Sequence, residues 1–437
     1  MFQPLQNVFR IPELKRKVLY TIGLLIIYRL GSHIPVPGVN TVALGEFFAQ
    51  QSDTLFGMYD LFVGGNLSNA TIFALGIMPY ITASIVMQLL GAVIPALERL
   101  RRQGAEGQKK IIQYTRYLTV TLGTFNAIGI TVFLQNLTTQ SGVPIVPNPG
   151  FMFTLTTIIT LVTGTIFIMW LGENITEKGI GNGISLIIFI GIIARYPNGF
   201  LQMFRMVSAG TMSLLLCITV VAIMLLVTAA VIFITEATRK IPVHYAKRVI
   251  GRKIYGGQST HIPLRMNTAG VIPIIFAQAV LMFPQTITTF FRENEFMYSI
   301  TEALSPGAWL HTVLYVLLII FFAYFYTSVV MNPTEMAENI KKYGGFIPGK
   351  KPGGKTAEYI NSIITRITLP GAIFFAFIAV LPTFLMQYAR VPFYFGGTGL
   401  IIIVGVALDT LQQIESRLVM HHYDGFMKKG KLRGRRR

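Results

Sequence analysis

The sequence predicts an all-α polytopic membrane protein with ten transmembrane helices in two inverted five-helix halves, and three observations predict it. Of 437 residues, 52% are apolar and 13% are charged, against roughly 25% charged in soluble domains. So little charge could not keep a soluble surface solvated, which argues against a soluble multi-domain enzyme. Ten apolar stretches approach the ~20 residues that cross a bilayer. The positive charges fall on alternate connections between those stretches, as the positive-inside rule requires. Long apolar runs without period-two alternation exclude a β-barrel.

The stretches, in order, are Val18–Ile34, Ile72–Leu90, Leu118–Leu137, Phe151–Leu171, Ile180–Ala194, Met212–Thr235, Ala269–Phe291, Leu310–Met331, Ile367–Tyr388 and Phe393–Leu411. The fifth is short and opens on the glycine-rich Gly179–Gly183. Charge bookkeeping supports counting it, because a missing span would scramble the alternation. Of 37 Lys and Arg residues, all but Arg29, Arg195, Arg205, Arg292 and Arg390 lie on one side, which is then the cytoplasmic side, with both termini. Met1–Lys17 lacks an apolar core followed by a small-residue cleavage site, so the first span itself is expected to signal insertion. The single Cys217 leaves no internal disulfide and no cysteine-based metal site.

The domain organisation read from these spans is a cytoplasmic segment 1–17, a first half 18–194, an external connection 195–209, a second half 210–411 and a basic cytoplasmic tail 412–437. The second half carries cytoplasmic loops 236–268 and 332–366. Five spans per half is an odd number, so related halves must be inverted, an arrangement that puts a pathway between them. Span interiors read as almost free of charge, with Arg29 and Asp409 near span ends. Ion-coupled transporters keep titratable groups at mid-depth. An inverted-repeat secondary transporter of small solutes therefore stands as the alternative to a passive pathway.

Other motifs have plainer readings. Gly349-Lys-Lys-Pro-Gly-Gly-Lys-Thr356 fits a phosphate-binding loop, but that loop works between a buried parallel strand and a helix N-terminus. Here Pro352 stands where a backbone N–H is wanted, and a flexible basic loop is the better reading. His421-His422 has no carboxylate or Cys at ligand spacing. No catalytic residue, cofactor or metal is expected.

Two segments resist such accounts. Gly57–Ala70, with Gly64, Gly65 and Asn66 leading into the second span, is half apolar and too short to cross. A short half-helix folded into the bundle from outside fits it, since broken helices are tolerated away from lipid; an interfacial loop is the alternative. The cytoplasmic loops around Arg239–Lys253 and Lys341–Lys355 mix Tyr, Ile and Pro with their charges, and alternating Ile241, Val243 and Tyr245 suggest short strands. With Lys428–Arg437 they form a basic platform suited to anionic lipid headgroups, acidic proteins or an RNA backbone.

Several stretches carry a resemblance: Ile72–Ile85, Gln113–Tyr117, Gly179–Ser185, Tyr245–Arg248, Gln258–His261 and Pro392–Thr398. Over essentially its whole length the chain resembles the SecY family, channel subunits of the bacterial protein-conducting translocon in the inner (cytoplasmic) membrane. The resemblance implies an hourglass pore between two halves. A plug would lie at Gly57–Asn69, carrying Tyr59, Leu61, Phe62, Gly64, Gly65 and Asn66. A ring at the waist would comprise Ile77, Ile81, Ile188, Ile275 and Ile402. The implied lateral seam includes Gln88, Asn182 and Phe283, and the docking surface Arg248, Arg252, Lys253, Lys350 and Lys351. It further implies small membrane subunits of the SecE and SecG type, the SecA ATPase, the ribosome with its RNA, signal peptides, nascent chains and anionic lipids as partners. Lys351 stands where similar proteins often carry Arg, keeping the charge but not the bidentate fork.

Overall fold

The computed structural model describes residues 11–50, 60, 63–137, 142–245, 248–250, 253–255, 259–288, 299, 302–305, 307–389 and 397–429. The chain forms two compact units, one of Met1–Gln202, Pro284–Tyr298 and Val406–Arg437, the other of Met203–Phe283 and Ser299–Gly405.

In the N-terminal part the helices are α1 (Pro12–Gly31), α2 (Thr41–Gln50), α3 (Met78–Val93), α4 (Pro95–Arg102), α5 (Ala105–Gln135), α6 (Phe151–Lys178), α7 (Gly183–Ile193) and α8 (Tyr196–Ser208). There follow α9 (Leu214–Glu236), α10 (Ile272–Thr288), α11 (Trp309–Val330), α12 (Pro333–Lys342), α13 (Gly354–Ala389) and α14 (Gly397–Lys429). Seven described helices are long and apolar enough to cross a membrane, or eight with the bent pair α3–α4 taken as one span. The first expected span misses that measure because Lys15, Arg16, Lys17 and Arg29 all lie within α1. The helix of the seventh expected span is described over Ile272–Thr288.

The apolar surface has the pattern lipid demands. On α9, Val220, Val227, Val231 and Thr235 are buried, whereas Leu214, Leu215, Ile218, Leu225, Leu226 and Phe233 are exposed. Spacings of seven and four residues put the buried set on one stripe, and the exposed remainder is mostly aliphatic and aromatic. Buried Thr115, Thr119, Thr131, Thr165, Thr327 and Thr368 each donate to the carbonyl four residues back. Such bonds keep polar side chains satisfied without a partner helix.

Several expected boundaries move. The second span starts at Met78 rather than Ile72, because Ile72–Ile77 runs in turns and Pro79 occupies the first helical turn. Gly76, at φ +56°, supplies a left-handed residue that would strain any other side chain. The fifth span does not stop at Ala194: after a break at Ala194-Arg195 the chain continues as α8, so Gly183–Ser208 reads as one 26-residue apolar stretch. The connection expected at 195–209 is therefore helical for most of its length. The tail expected from residue 412 begins as the continuation of α14, to Lys429.

Among the described residues the named strands lie in 238–265 and 345–346, as the alternation of Ile241, Val243 and Tyr245 suggests. Strand β1 (Thr238–Tyr245) pairs antiparallel with β4 (Ser259–Arg265), from Thr238 opposite Arg265 to His244 opposite Ser259. Strands β2 (Arg248–Ile250) and β3 (Lys253–Tyr255) form a separate hairpin. Strand β5 (Gly345–Phe346) joins the other edge of β1, giving the order β4-β1-β5. It covers only His244 and Tyr245, so Pro242 lies where β1 has a single neighbour, a position that tolerates its missing N–H. Ile241, Val243 and Leu264 face inward onto Ile340, Ile347, Ile360 and Ile364, leaving Arg239, Lys240 and His244 outside. The loop thus has its own small apolar core.

Candidate functional site

Between α1 and α3 the chain does what no lipid-exposed segment could. Val63–Ile77 is irregular and almost entirely buried, so its backbone groups must find partners inside the protein. The Asp60 carboxylate supplies several: Oδ1 accepts the N–H groups of Leu67 and Ser68 at 2.9 Å each. The Asp60 carbonyl accepts from the Gly65 N–H at 2.8 Å. Asp60 Oδ2 pairs with the Arg195 guanidinium, which also donates to Ser68 Oγ at 3.2 Å.

A second clasp runs to the first helix. The Asn66 side-chain amide donates to the Tyr28 hydroxyl at 3.2 Å and to the Val63 carbonyl at 2.6 Å. The Thr71 N–H and hydroxyl both donate to the Asn66 carbonyl. Phe73 stacks on Tyr28 and Phe167, with ring centroids 5.7 and 6.1 Å away. Gly64, at φ +75°, lies against Gly191 of α7, so close that a Cβ would come within 2.6 Å of the Gly191 Cα. From Val63 to Ala70 the expected half-helix is a chain of turns, and Asp60 before it is helical. Tyr59, Leu61 and Phe62 lie outside the described residues.

Each of the five isoleucines is buried. Ile77 and Ile81 lie one turn apart at the start of α3, and Ile188 is on α7, all within the first unit. Ile275 on α10 and Ile402 on α14 belong to the second unit. Of the seam residues, Gln88 donates to Ser84 Oγ at 3.3 Å while its Oε1 is buried without a hydrogen-bond partner. Asn182 caps α7, accepting from the N–H groups of Ile184 and Ser185 at 3.1 and 3.3 Å. An Asn at that position satisfies helix donors that would otherwise be orphaned, a role the sequence reading did not assign it. The Phe283 side chain lies outside the described residues.

On the platform, Arg248 and Lys253 fall in the β2–β3 hairpin, with Arg248 opposite Tyr255 and Lys253 opposite Ile250; Arg252 lies outside the described residues. Lys350 sits over the Tyr359 ring, 5.1 Å from its centroid, and Lys351 is exposed. The loop that matched a phosphate-binding pattern follows a two-residue strand in an antiparallel sheet. Its Thr356 hydroxyl donates to the Lys351 carbonyl at 2.9 Å, which fits the basic-loop reading. Two ion-paired arginines were not anticipated. Arg116 grips Glu173 with two bonds of 3.0 and 2.6 Å, and Arg195 was assigned to an external connection rather than to a partner.

Apolar helices of spanning length, with a buried, irregular segment whose polar groups find partners inside the protein, define a polytopic membrane protein, a class that holds both channels and transporters. Comparison with known proteins decides between them. The SecY family model matches residues 71–411. The chain is 45% identical to the protein translocase subunit SecY of Aquifex aeolicus over 98% of this chain and 100% of that one. It is 46% identical to that of Escherichia coli, over 97% and 96%. Among solved structures it resembles "The structure of a protein conducting channel" with TM-score 0.68 at 20% identity, covering 92% of each chain. It also resembles a structure described as "The plug domain of the SecY protein stablizes the closed state of the translocation channel and maintains a membrane seal", TM-score 0.67, 20% identity and 92% of each chain. A third is Sec61 in the canine ribosome-channel complex, TM-score 0.63, 18% identity and 92% of each chain. The chain belongs to the SecY family. It is a multi-pass membrane subunit of a protein-conducting channel, not an enzyme, and the transporter alternative has no support.

Proposed function

We propose that the segment Gly57–Asn69 is the plug of this channel, and that Ile77, Ile81, Ile188, Ile275 and Ile402 form the ring that the plug backs. The observation that carries this reading is the segment itself: an irregular, largely buried stretch, with two of its backbone N–H groups bonded to the Asp60 carboxylate, within a helical membrane protein. β-Branched side chains are stiff, and a ring of them seals a narrow path by dewetting while parting for a passing chain. Gln88, Asn182 and Phe283 then line a seam between the halves 18–194 and 210–411. Through it, apolar segments of signal peptides and nascent chains leave for lipid according to their own transfer free energy.

Drive comes from a partner on the cytoplasmic face. The small core beneath β1 and β4 supports this, because it turns a charged loop into a fixed surface bearing Arg239, Lys240, Lys350 and Lys351. A ribosome or the SecA ATPase docks there, anionic lipids surround the basic rim, and small subunits of the SecE and SecG type complete the assembly in a bacterial inner membrane. Reversal of Arg252 and Lys253 to Glu is expected to weaken ribosome and SecA binding while leaving membrane insertion intact. Because contacts to an RNA backbone release counterions, wild-type ribosome affinity is expected to fall steeply with added salt in a sedimentation assay. Salt-independent binding would contradict docking through this surface.

The orientation has its own test. Reporters fused after Asn339 or Lys429 are expected on the cytoplasmic side, and one after Ser141 outside. An external reporter at Asn339 would break the charge argument and the ten-span count with it.

A further inference from the structure

We infer that Arg195 is a positioning residue of the gate, and that its ion pair with Asp60 is an electrostatic latch holding the irregular segment closed. The inference rests on the plug reading above but concerns what decides whether the plug stays in place.

The pair is unusual in burial. Arg195 lies at the break within Gly183–Ser208. Its side chain is 19% exposed and that of Asp60 3%. A buried ionisable side chain is costly unless paired. Each is therefore held where it is by the other, and the carboxylate in turn organises the turn by accepting the N–H groups of Leu67 and Ser68. Nearby contacts point the same way: Gly65 packs against the Arg195 guanidinium, where a Cβ would come within 3.0 Å of it, and Ser68 takes a bond from it.

Displacement of the segment separates the two charges and lets water solvate both. Loss of one partner has the opposite effect on the closed state: it leaves a lone charge buried there and nothing lost once the segment has moved. Removing one member of a buried pair is strongly unfavourable because it leaves an uncompensated buried charge, whereas replacing both leaves none. The latch therefore predicts a signature that a merely structural contact lacks: each single neutralisation opens the gate, and the two together close it again.

Asp60→Asn keeps an oxygen for the Leu67 and Ser68 N–H groups, and Arg195→Gln keeps a side-chain donor, so both disturb shape little. Ion leak through purified protein in planar bilayers is expected to rise on the order of a hundredfold in either single variant, the equilibrium shift of a broken buried pair. Arg195→Lys, which keeps the charge but not the fork, is expected to leak less than Arg195→Gln. The double variant is expected to return near the wild-type leak. Thermal unfolding in detergent is recorded for all four proteins. Singles that lose thermal stability but stay electrically tight would overturn the latch, as would a double variant that leaks as much as the two singles combined. A variant lacking Asp60–Ser68 separates this from the plug reading. If that deletion leaks while the single variants are tight, only the latch fails; if the deletion itself is tight, the plug reading fails first.

Discussion

Replacing Ile81 and Ile402 together with Ser is expected to turn a silent membrane protein into an ion-conducting one. Both side chains are buried, at 5% and 0% exposure. Exchanging such a group for Ser removes apolar volume and adds a hydroxyl that stabilises water at the constriction, the converse of closure by dewetting. Each large-to-small change in a packed interior also costs about 2–5 kcal/mol of stability, so a fall in thermal stability alone distinguishes nothing. The control is Ile159→Ser, at a side chain 57% exposed. Single-channel recording is expected to show new conductance in the double variant and none in the control. A destabilised but silent double variant would leave these isoleucines as ordinary core.

Gly64→Val is expected to unseat the irregular segment altogether. A Cβ there would come within 2.6 Å of the Gly191 Cα, and the contact is backbone on backbone, so no side chain can swing aside. The φ of +75° adds strain for a β-branched residue, on the order of 1–3 kcal/mol. The segment has few ways to relieve both while Asp60 remains paired to Arg195. Leak conductance in planar bilayers is expected to exceed that of Arg195→Gln, and trypsin is expected to cut Gly64→Val near Arg195 faster than wild type. Wild-type leak and cleavage in the Gly64→Val protein would show that Gly64 does not seat the segment.

Which features were legible follows from where the physics is local. Spans announce themselves through composition, and the strands of the cytoplasmic loop through the alternation of Ile241, Val243 and Tyr245. Their pairing was not legible: β1 takes β4, fourteen residues beyond its own end, and a two-residue strand from another loop, choices made by the apolar core beneath them. The turn structure of Val63–Ala70 was hidden because its organiser, Asp60, acts through backbone N–H groups seven and eight residues on. The pairing of Arg195 with Asp60 was hidden because the two stand 135 residues apart in sequence. Two signals could have found it. Phe200, Met203, Phe204 and Val207 recur at helical spacing beyond it, and Asp60 is an acid in a stretch from Gly31 to Leu97 without a Lys or Arg. A buried acid with no cation nearby in sequence needs one from elsewhere in the fold.

The central claim is that a polypeptide passes between these isoleucines. It is tested most directly by placing a photoreactive amino acid at Ile81, Ile188, Ile275 or Ile402 and arresting a secretory chain midway through reconstituted channels. Crosslinks to the arrested chain are expected from all four positions, drawn from both compact units, with none from Ile159. Crosslinks confined to one unit, or equal to those at Ile159, would contradict a shared path.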